Sequence, residues 1–144
     1  MAQRGILEYD AKALLANNWE EYFGSSIHYD FKSTLVANSA DLKSAESKQS
    51  WIKDGGLVVK PDMLFGERGK NNLVLYKTNN AGDVSSSDAQ VWLDEKTKEE
   101  ITLLSGGTGT LRRFIVEPFI PHESNQEYYI SFRTENDDDV ISMS

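Results

Sequence analysis

A short apolar run that ends in a proline, at residues 57–61, constrains the fold of this chain more than any other segment. The run Leu57-Val58-Val59 predicts a strand buried on both faces, because such strands read as continuous aliphatic runs rather than as an alternation. Pro61 fixes its own φ and lacks a backbone N–H, so an interior strand is not expected to continue past it. We therefore expect a central strand that ends near residue 61 and places Lys60 at its end.

The segment after this strand, residues 62–70, predicts a phosphate-binding turn. Two glycines there allow a ligand to approach the backbone closely. Basic side chains stand at Lys60, Arg68 and Lys70, and charge-assisted hydrogen bonds from such groups contribute about 1.5–3 kcal/mol each. The spacing matches neither GxxxxGK[ST] nor GxGxxG. A solvated hairpin with a basic tip is therefore an equal alternative on spacing alone.

Length and charge limit the classes of protein that fit. The 144 residues, 39% of them hydrophobic, suffice for one globular domain with a substantial core. A net charge of −8 disfavours nucleic acid or an anionic membrane as the partner. Cysteine is absent, which excludes a disulfide framework and a thiol nucleophile. No apolar run approaches the roughly 18 residues of a membrane span, and together these features predict a cytoplasmic protein.

Three segments show helical patterns. Apolar residues at helical spacing predict a first helix over residues 7–22, which Gly24 ends. In this helix Glu8 and Lys12 are expected to face away from the core. The other two helices are predicted over residues 38–52, capped by Asn38 or Ser39 and ended by Gly55-Gly56, and over residues 87–98, opened by the capping pattern Ser87-Asp88-Ala89-Gln90.

Strand-like segments fill most of the remaining chain. Their alternation with the helices predicts an α+β domain with an α/β-like pattern. The segment 73–78 is expected to pair with residues 57–60 as a hairpin. The other strands are predicted at 27–36, 101–104, 113–120, 127–133 and 140–143, with a polar loop at 79–86, a glycine-rich turn at 105–110 and an acidic turn at 136–139.

Three features resemble functional motifs but have simpler interpretations. The glycine cluster at 106–109 has no lysine or helix after it, so a connecting turn is favoured over a phosphate loop. The carboxylates at 137–139 lack the alternating spacing of a calcium loop, which favours a solvated turn. His28 and His122 are too few for a histidine metal cluster, and a structural role is expected for each.

The stretch 115–122 indicates a second part of a ligand site. Its prolines flank Ile120 and cannot donate hydrogen bonds, so the amide and carbonyl of Ile120 are expected to lack a strand partner. Such an edge can read an adenine ring, and Glu127 could accept hydrogen bonds from a ribose. A kinked strand with a carboxylate at its rim is the alternative.

Four separated motifs resemble the amino-terminal region of ATP-citrate lyase, and most closely the small, A-type subunit of the split enzymes. They are ILEYDAKALL, LVVKPDMLFGERGK, FIVEPFIPH and EYY, in that order along nearly the whole chain. The opening helix is also similar to the start of the β subunit of succinyl-CoA synthetase, which shares the ATP-grasp fold. The KPD and EPF-PH elements favour the lyase.

The resemblance implies an ATP-grasp fold, with the first lobe at about 1–112 and the hinge and opening strands of the second lobe at about 113–144. It places ATP phosphates at Lys60, Arg68 and Gly69, adenine at Pro118 and Ile120, and ribose at Glu127. The family converts citrate, CoA and ATP to acetyl-CoA, oxaloacetate, ADP and phosphate. Its phosphohistidine, its Mg²⁺-binding carboxylates and its citrate and CoA sites are expected beyond residue 144, so no catalytic residue is assigned in this chain.

Three expectations qualify this picture. Glu67, beside a triphosphate site, would lower affinity unless it points outward. An unfinished second sheet would leave an edge that pairs with another copy, the remaining lyase segments or a partner subunit. The alternatives for the whole chain are a fragment of an acyl-CoA synthetase β subunit and a non-catalytic interaction module. On its own the chain is expected to bind ATP or ADP without turnover.

Overall fold

Three helices and seven short strands form the part of the chain that the structure, a computed structural model, describes: residues 5–64, 68–77, 83–102, 106–136 and 138–144. None of the described helices is long and apolar enough to cross a membrane. The helices are α1 (Glu8–Phe23), α2 (Ser39–Glu46) and α3 (Ser86–Lys96), and the strands are β1 (Thr34–Val36), β2 (Leu57–Pro61), β3 (Glu100–Thr102), β4 (Thr108–Thr110), β5 (Phe114–Pro118), β6 (Ile130–Glu135) and β7 (Asp138–Met143).

The main sheet is antiparallel and has the order β1-β5-β2. Its middle strand, β5, comes from the apolar run that the sequence marked as a strand. The predicted hairpin arm after residue 73 reaches the sheet at one point, where Val59 and Leu75 exchange two backbone hydrogen bonds of 2.8 Å. The prediction of a full second arm was therefore wrong within the described residues, because Val59 and Leu75 form an isolated bridge and β2 pairs along its length with β5 instead.

The core lies between one face of this sheet and helices α2 and α3. Phe114 is fully buried, and its ring meets that of Trp92 edge-on at 5.9 Å. Because strand side chains alternate between faces, the other face presents Lys60 and Glu117. The buried core residues are Val36, Leu42, Ile52, Leu57, Val59, Leu73, Val84, Ala89, Leu93, Leu111, Phe114 and Val116.

Strand β2 departs from the predicted burial. Leu57, Val59 and Pro61 are buried, whereas Val58 and Lys60 are only partly so. The strand therefore has one core face and one half-open face, and the expectation of burial on both faces was wrong. The half-open face is the one on which α1 lies.

Helix α1 ends as predicted, with Gly24 at φ 71°, but it faces the opposite way. Its apolar residues are exposed, Leu14 by 59% and Tyr22 by 73%, and none of its residues is fully buried. Glu8 and Lys12, expected to face solvent, contact the sheet instead. Ion pairs with the sheet, rather than apolar burial, thus set the orientation of this helix.

Two predicted elements are shorter or broken. The strand expected at 27–36 is formed only over β1, since the N–H of Lys32 turns back to the carbonyl of Asp30. The helix expected at 38–52 stops at Glu46 and is followed by a separate 3₁₀ turn, Ser50–Asp54. Its Asn38 cap is confirmed, because the Asn38 side chain accepts a hydrogen bond from the N–H of Asp41 at 3.0 Å.

The cap of the third helix is Ser85, two residues before the predicted cap, Ser87. Ser85 accepts a hydrogen bond from the N–H of Asp88 at 3.2 Å, and Asp88 accepts one from the N–H of Ser85 at 2.9 Å. This is a reciprocal capping box. Three consecutive serines, at residues 85–87, could each cap the helix. Ser85 does so because the acid three residues after it, Asp88, completes the capping box.

The chain after β5 forms a separate two-stranded hairpin, β6-β7, with the turn at Asn136. Strands β3 and β4 form a hairpin, in which β4 takes the last three residues, 108–110, of the predicted glycine-rich turn; residue 105 of that turn lies outside the described residues. The prediction that β5 begins a second sheet was wrong, because β5 is the middle strand of the first. Expectations for residues 65–67, 78–82, 103–105 and 137 also lie outside the described part of the chain.

Candidate ligand-binding site

Five charged side chains meet on the half-open face of the main sheet. We call them the ion cluster: Glu8, Lys12, Lys60, Arg68 and Glu117. Lys60 Nζ lies 2.5 Å from Glu8 Oε1 and 3.0 Å from Glu117 Oε2. Lys12 Nζ bridges the same two carboxylates at 2.9 and 2.6 Å. Arg68 donates to Glu8 at 2.7 Å and to the carbonyl of Pro61 at 2.8 Å.

The local structure explains why these side chains meet. Lys60 and Glu117 project from antiparallel neighbours, β2 and β5, on one face of the sheet. Glu8 and Lys12 are four residues apart on α1, so they share one side of that helix. Three cations and two carboxylates leave one positive charge in excess on a surface that is largely shielded from solvent, since the Lys60 side chain is 18% exposed.

The ion cluster holds its carboxylates in the charged form. Burial by itself would raise the pKa of Glu8, but hydrogen bonds and charges from Lys60 and Lys12 outweigh it and lower that pKa to about 2. Partial burial would also raise the pKa of Glu117, but hydrogen bonds and charges from Lys12 and Lys60 outweigh it and lower that pKa. Both groups are therefore ionised near neutral pH.

Acid is expected to weaken the attachment of α1. The folded pKa of Glu8, about 2, lies below its ordinary value of 4.5, so its contribution to stability is complete above pH 4.5 and is lost as pH falls toward 2. We predict that wild type melts at a higher temperature than Glu8→Gln at pH 7, and that this difference shrinks between about pH 4.5 and 2. Thermal melts of both proteins across pH 2–7 measure it. A difference that does not change with pH would contradict the prediction.

A buried carboxylate next to the ion cluster fixes the start of α1. The Asp62 side chain is fully buried and accepts a hydrogen bond from Arg113 Nε at 2.8 Å. It also accepts one from the N–H of Tyr9 at 3.3 Å. Arg113 in turn donates to Asp10 at 2.9 Å. The KPD motif thus supplies both a cluster lysine and the anchor of the helix that covers it.

The turn after residue 67 brings Arg68 and Gly69 to this surface. The N–H of Leu73 donates to the carbonyl of Arg68 at 2.9 Å, and that of Asn72 to the carbonyl of Gly69 at 3.1 Å. A Cβ added to Gly69 would meet no atom of the described residues within 4 Å, and φ there is not positive. The fold therefore does not itself require glycine at this position, and the space beside its backbone is open.

The carbonyl of Pro118 points away from β2. The N–H of Phe119 donates to the carbonyl of Gly56, which makes these two residues a hydrogen-bonded pair. Hydrogen-bonded and non-bonded pairs alternate along an antiparallel ladder, so Pro118 and its partner Leu57 form a non-bonded pair. The carbonyl of Pro118 therefore faces the side of β5 on which β1 lies.

Strand β1 stops short of that carbonyl. Its pairing with β5 extends no further than Thr34 and Val116. Two residues on, the same register would bring the N–H of Lys32 to Pro118, but that N–H donates to Asp30 at 2.9 Å. Strand pairing within the described residues thus leaves the carbonyl of Pro118 as an acceptor at the sheet edge.

Ile120 adds a donor two residues later. Its carbonyl lies 2.8 Å from Nδ1 of His122. Its N–H has no hydrogen-bond partner among the described residues. The Pro118 carbonyl and the Ile120 N–H therefore form an acceptor and donor pair on one short stretch of backbone, which we call the hinge pair.

Glu127 reaches the same bend through His122. Its Oε1 atom lies 2.5 Å from Nε2 of His122, and its side chain is 69% exposed. Sequence analysis assigned no partner to His122, whereas in the structure its ring contacts the Ile120 carbonyl and the Glu127 side chain. His28, in contrast, is an exposed residue between α1 and β1.

The six predicted site residues fall into two adjoining groups. Lys60, Arg68 and Gly69 lie at the ion cluster, whereas Pro118, Ile120 and Glu127 lie at the bend after β5. Glu117 joins the groups, because its side chain is in the cluster and its backbone precedes the hinge pair. Glu67 lies outside the described residues. Sequence reasoning missed Glu8, Lys12, Glu117, Asp62 and Arg113, and only the i, i+4 spacing of Glu8 and Lys12 pointed to a shared surface.

Comparison with known families decides where this chain belongs. A protein-family model described as the ATP-citrate synthase ATP-grasp domain matches residues 2–144. The chain belongs to the ATP-citrate synthase ATP-grasp family. This confirms the α+β, ATP-grasp fold that the motifs predicted, and the family description implies an ATP-type nucleotide site.

Two plant ATP-citrate synthase chains that are similar to this chain agree with the family assignment. Alpha chain protein 1 from Arabidopsis thaliana is 37% identical over 131 residues, 91% of this chain and 28% of the relative. Subunit alpha chain protein 1 from Oryza sativa subsp. japonica is 37% identical over 144 residues, 100% of this chain and 33% of the relative. The chain therefore spans about a third of the length of these ATP-citrate synthase relatives.

A solved structure of an ATP citrate lyase has the same fold. The enzyme from Methanothrix soehngenii, in complex with citrate and coenzyme A, aligns with a TM-score of 0.81 at 41% identity, over 99% of this chain and 32% of that one. As the KPD and EPF-PH motifs predicted, these three similar proteins are citrate enzymes. Within the described residues no group of three or more His, Cys, Asp or Glu side chains could hold a metal ion.

Proposed function

We propose that this chain is the nucleotide-binding portion of an ATP-citrate lyase. In this proposal Lys60, Arg68 and the Gly69 backbone bind the phosphates of ATP or ADP, the hinge pair binds adenine, and Glu127 binds the ribose. The supporting observation is that a cluster with one excess positive charge lies on the same strand pair as an acceptor and donor pair of the backbone.

The spacing of the two groups suits one extended ligand. Lys60 is opposite Ile115, and Pro118 follows three residues later on β5. At about 3.3 Å per strand residue, the two groups are roughly 10 Å apart along the strand. One nucleotide can therefore place its base at the bend and its phosphate tail at the lysine.

Phosphate binding must compete with the carboxylates already present. Glu8 contacts both Lys60 and Arg68, so an incoming phosphate either replaces Glu8 or binds beside it. The excess positive charge and the open space beside Gly69 both favour an anion at this surface. The described residues at this surface therefore fit the phosphate tail of a nucleotide.

The hinge pair predicts the base. Adenine offers an amine donor at N6 and an acceptor at N1, which match the Pro118 carbonyl and the Ile120 N–H. Guanine offers an acceptor and a donor in the reverse order, which would oppose like groups. A matched pair of hydrogen bonds discriminates by about 1–3 kcal/mol. The site therefore favours adenine nucleotides over guanine nucleotides.

Calorimetric titration of the 144-residue protein with ATP and with GTP tests this function. We expect saturable ATP binding and a dissociation constant for GTP about 5- to 150-fold higher, from the roughly 1–3 kcal/mol of the paired hydrogen bonds. Equal affinity for the two nucleotides would contradict the hinge assignment. Absence of binding by both would favour a non-catalytic interaction module.

The complete reaction is proposed for the longer protein. Citrate and CoA would bind to segments outside this chain, either in the same polypeptide or in a partner subunit, and the compartment would be the cytoplasm. Mg²⁺ would be held by residues outside the described part of this chain. We propose that the first lobe extends through β5 to Pro118, with the hinge after it. The 144-residue chain on its own is expected not to consume ATP in the presence of citrate and CoA, and such turnover would contradict this proposal.

A further inference from the structure

His122 joins the two groups that contact the nucleoside in the proposed function. Its Nδ1 lies 2.8 Å from the carbonyl of Ile120, and its Nε2 lies 2.5 Å from Glu127 Oε1. The ring therefore stands between the hinge pair and the ribose carboxylate. No part of the sequence pattern or the family comparison assigned it a role at this site.

The loop around His122 is built to hold this arrangement. Pro121 restricts the backbone just before the histidine. A 3₁₀ turn, Ser124–Gln126, then reverses the chain. Glu123 and Gln126 lock the turn, since the N–H of Gln126 donates to the Glu123 carbonyl at 2.8 Å and the N–H of Glu123 to the Gln126 side chain at 2.9 Å. The reversal returns Glu127 to the far nitrogen of the ring.

The two hydrogen-bond partners of His122, which together with its ring we call the bridge, fix the protonation state of the ring. A carbonyl oxygen and a carboxylate oxygen can only accept hydrogen bonds, so both ring nitrogens must donate, and only the imidazolium form does this. The Ile120 carbonyl first, and Glu127 second, raise the pKa of His122 above its usual value. Among the described residues, Glu127 is the charged group that faces the ring.

We propose that His122 is a positioning residue for the nucleoside. By occupying the carbonyl of Ile120 it leaves only the N–H of that residue for the base, which fixes the donor position of the hinge pair. By holding Oε1 of Glu127 it orients the second carboxylate oxygen toward a ribose hydroxyl. This inference rests on the proposed nucleotide site and adds the residue that arranges it.

The bridge differs from an ordinary surface ion pair in what its loss would change. Exposed ion pairs contribute little to stability, and the His122 side chain is 41% exposed, so removal should leave the fold intact. Its effect should instead appear in the binding of the nucleoside. Inorganic tripolyphosphate, which has no base or ribose, serves as the probe for the phosphate-binding residues alone.

Titration of wild type, His122→Ala and Glu127→Gln with ATP and with tripolyphosphate tests the proposal. We expect each variant to bind ATP about five- to tenfold more weakly and to bind tripolyphosphate as wild type does. The double variant should bind ATP about as weakly as His122→Ala alone, because His122 positions Glu127 in addition to occupying the Ile120 carbonyl. As pH rises and the ring loses its proton, the gap in ATP affinity between wild type and His122→Ala should narrow.

The outcomes separate this inference from the function it depends on. Unchanged ATP affinity in His122→Ala, with ATP binding to wild type, overturns the role of His122 and leaves the nucleotide site standing. Equal weakening of ATP and tripolyphosphate also overturns it, since the effect would not be specific to the nucleoside. Failure of wild type to bind either probe would overturn the proposed function itself. Melting temperatures of the variants confirm that each is folded.

Discussion

Replacing Lys60 with alanine is expected to lower the affinity for ATP by about 10- to 100-fold. This range follows from the loss of one charge-assisted hydrogen bond to phosphate, worth about 1.5–3 kcal/mol. The same change brings the ion cluster from one excess positive charge to none, because Lys12 and Arg68 then face two carboxylates. The positive potential that attracts a phosphate tail is thereby lost together with a direct ligand.

Thermal melts with and without millimolar Mg²⁺-ATP or ADP measure this effect. A ligand at one hundred times its dissociation constant stabilises a protein by about 2.7 kcal/mol, which raises the melting temperature by several degrees in a chain of this size. We expect that rise in wild type and about half of it or less in Lys60→Ala, whose dissociation constant should be about 10- to 100-fold higher. Lys43→Ala, an exposed position on α2, removes the same charge away from the site and should behave as wild type. An equal rise in Lys60→Ala would show that ATP does not bind at the ion cluster.

Replacing Phe114 with alanine is expected to have the largest effect on stability, about 3–5 kcal/mol. Phe114 is fully buried in the middle strand of the main sheet, and its ring packs edge-on against Trp92 of α3. Removing the ring leaves a cavity where the sheet meets that helix. Since domains of this kind have about 5–15 kcal/mol of stability in total, the loss is a large fraction of it.

Chemical and thermal unfolding of Phe114→Ala give the measurement. We expect the melting temperature to fall by roughly 10 °C or more. Phe132→Ala removes the same group from a residue that is 71% exposed on β6 and should change the stability little. Similar losses in the two variants would contradict the placement of the core between the main sheet and α3.

Elements fixed by local signals were predictable from the sequence. The end of α1 at Gly24 follows from the left-handed conformation that this glycine adopts. The cap of α2 at Asn38 and the apolar run of β5 were equally local. Strand pairing was not predictable in this way. Strand β5 pairs with residues 34–36 and 57–61, and neither segment carries a local signal for its partner strand.

The orientation of α1 shows why periodicity alone failed. Hydrophobic spacing placed Glu8 and Lys12 toward solvent, whereas ion pairs to Lys60 and Glu117 turn them toward the sheet. Those partners are more than 45 residues away in sequence, so no local window contains both. The apolar residues on the opposite side, such as Leu14, are left exposed in consequence.

The site was predicted in part for the same reason. The resemblance to the lyase family indicated Lys60 and Arg68, and the structure brings both to Glu8. The carboxylates that hold the basic side chains carry no motif of their own. His122 was assigned a structural role because its partners, Ile120 and Glu127, become neighbours only after the turn at Ser124–Gln126 is formed.

Mapping backbone amide chemical shifts during an ATP titration gives the decisive test of the nucleotide site. We predict that the amides of Gly69 and Ile120 shift together and saturate with one dissociation constant, because one ligand contacts both. The amides of core residues such as Leu42 and Leu93 should stay in place. Saturable shifts confined to another surface, or no shift at Gly69 and Ile120 at millimolar ATP, would contradict the proposed site.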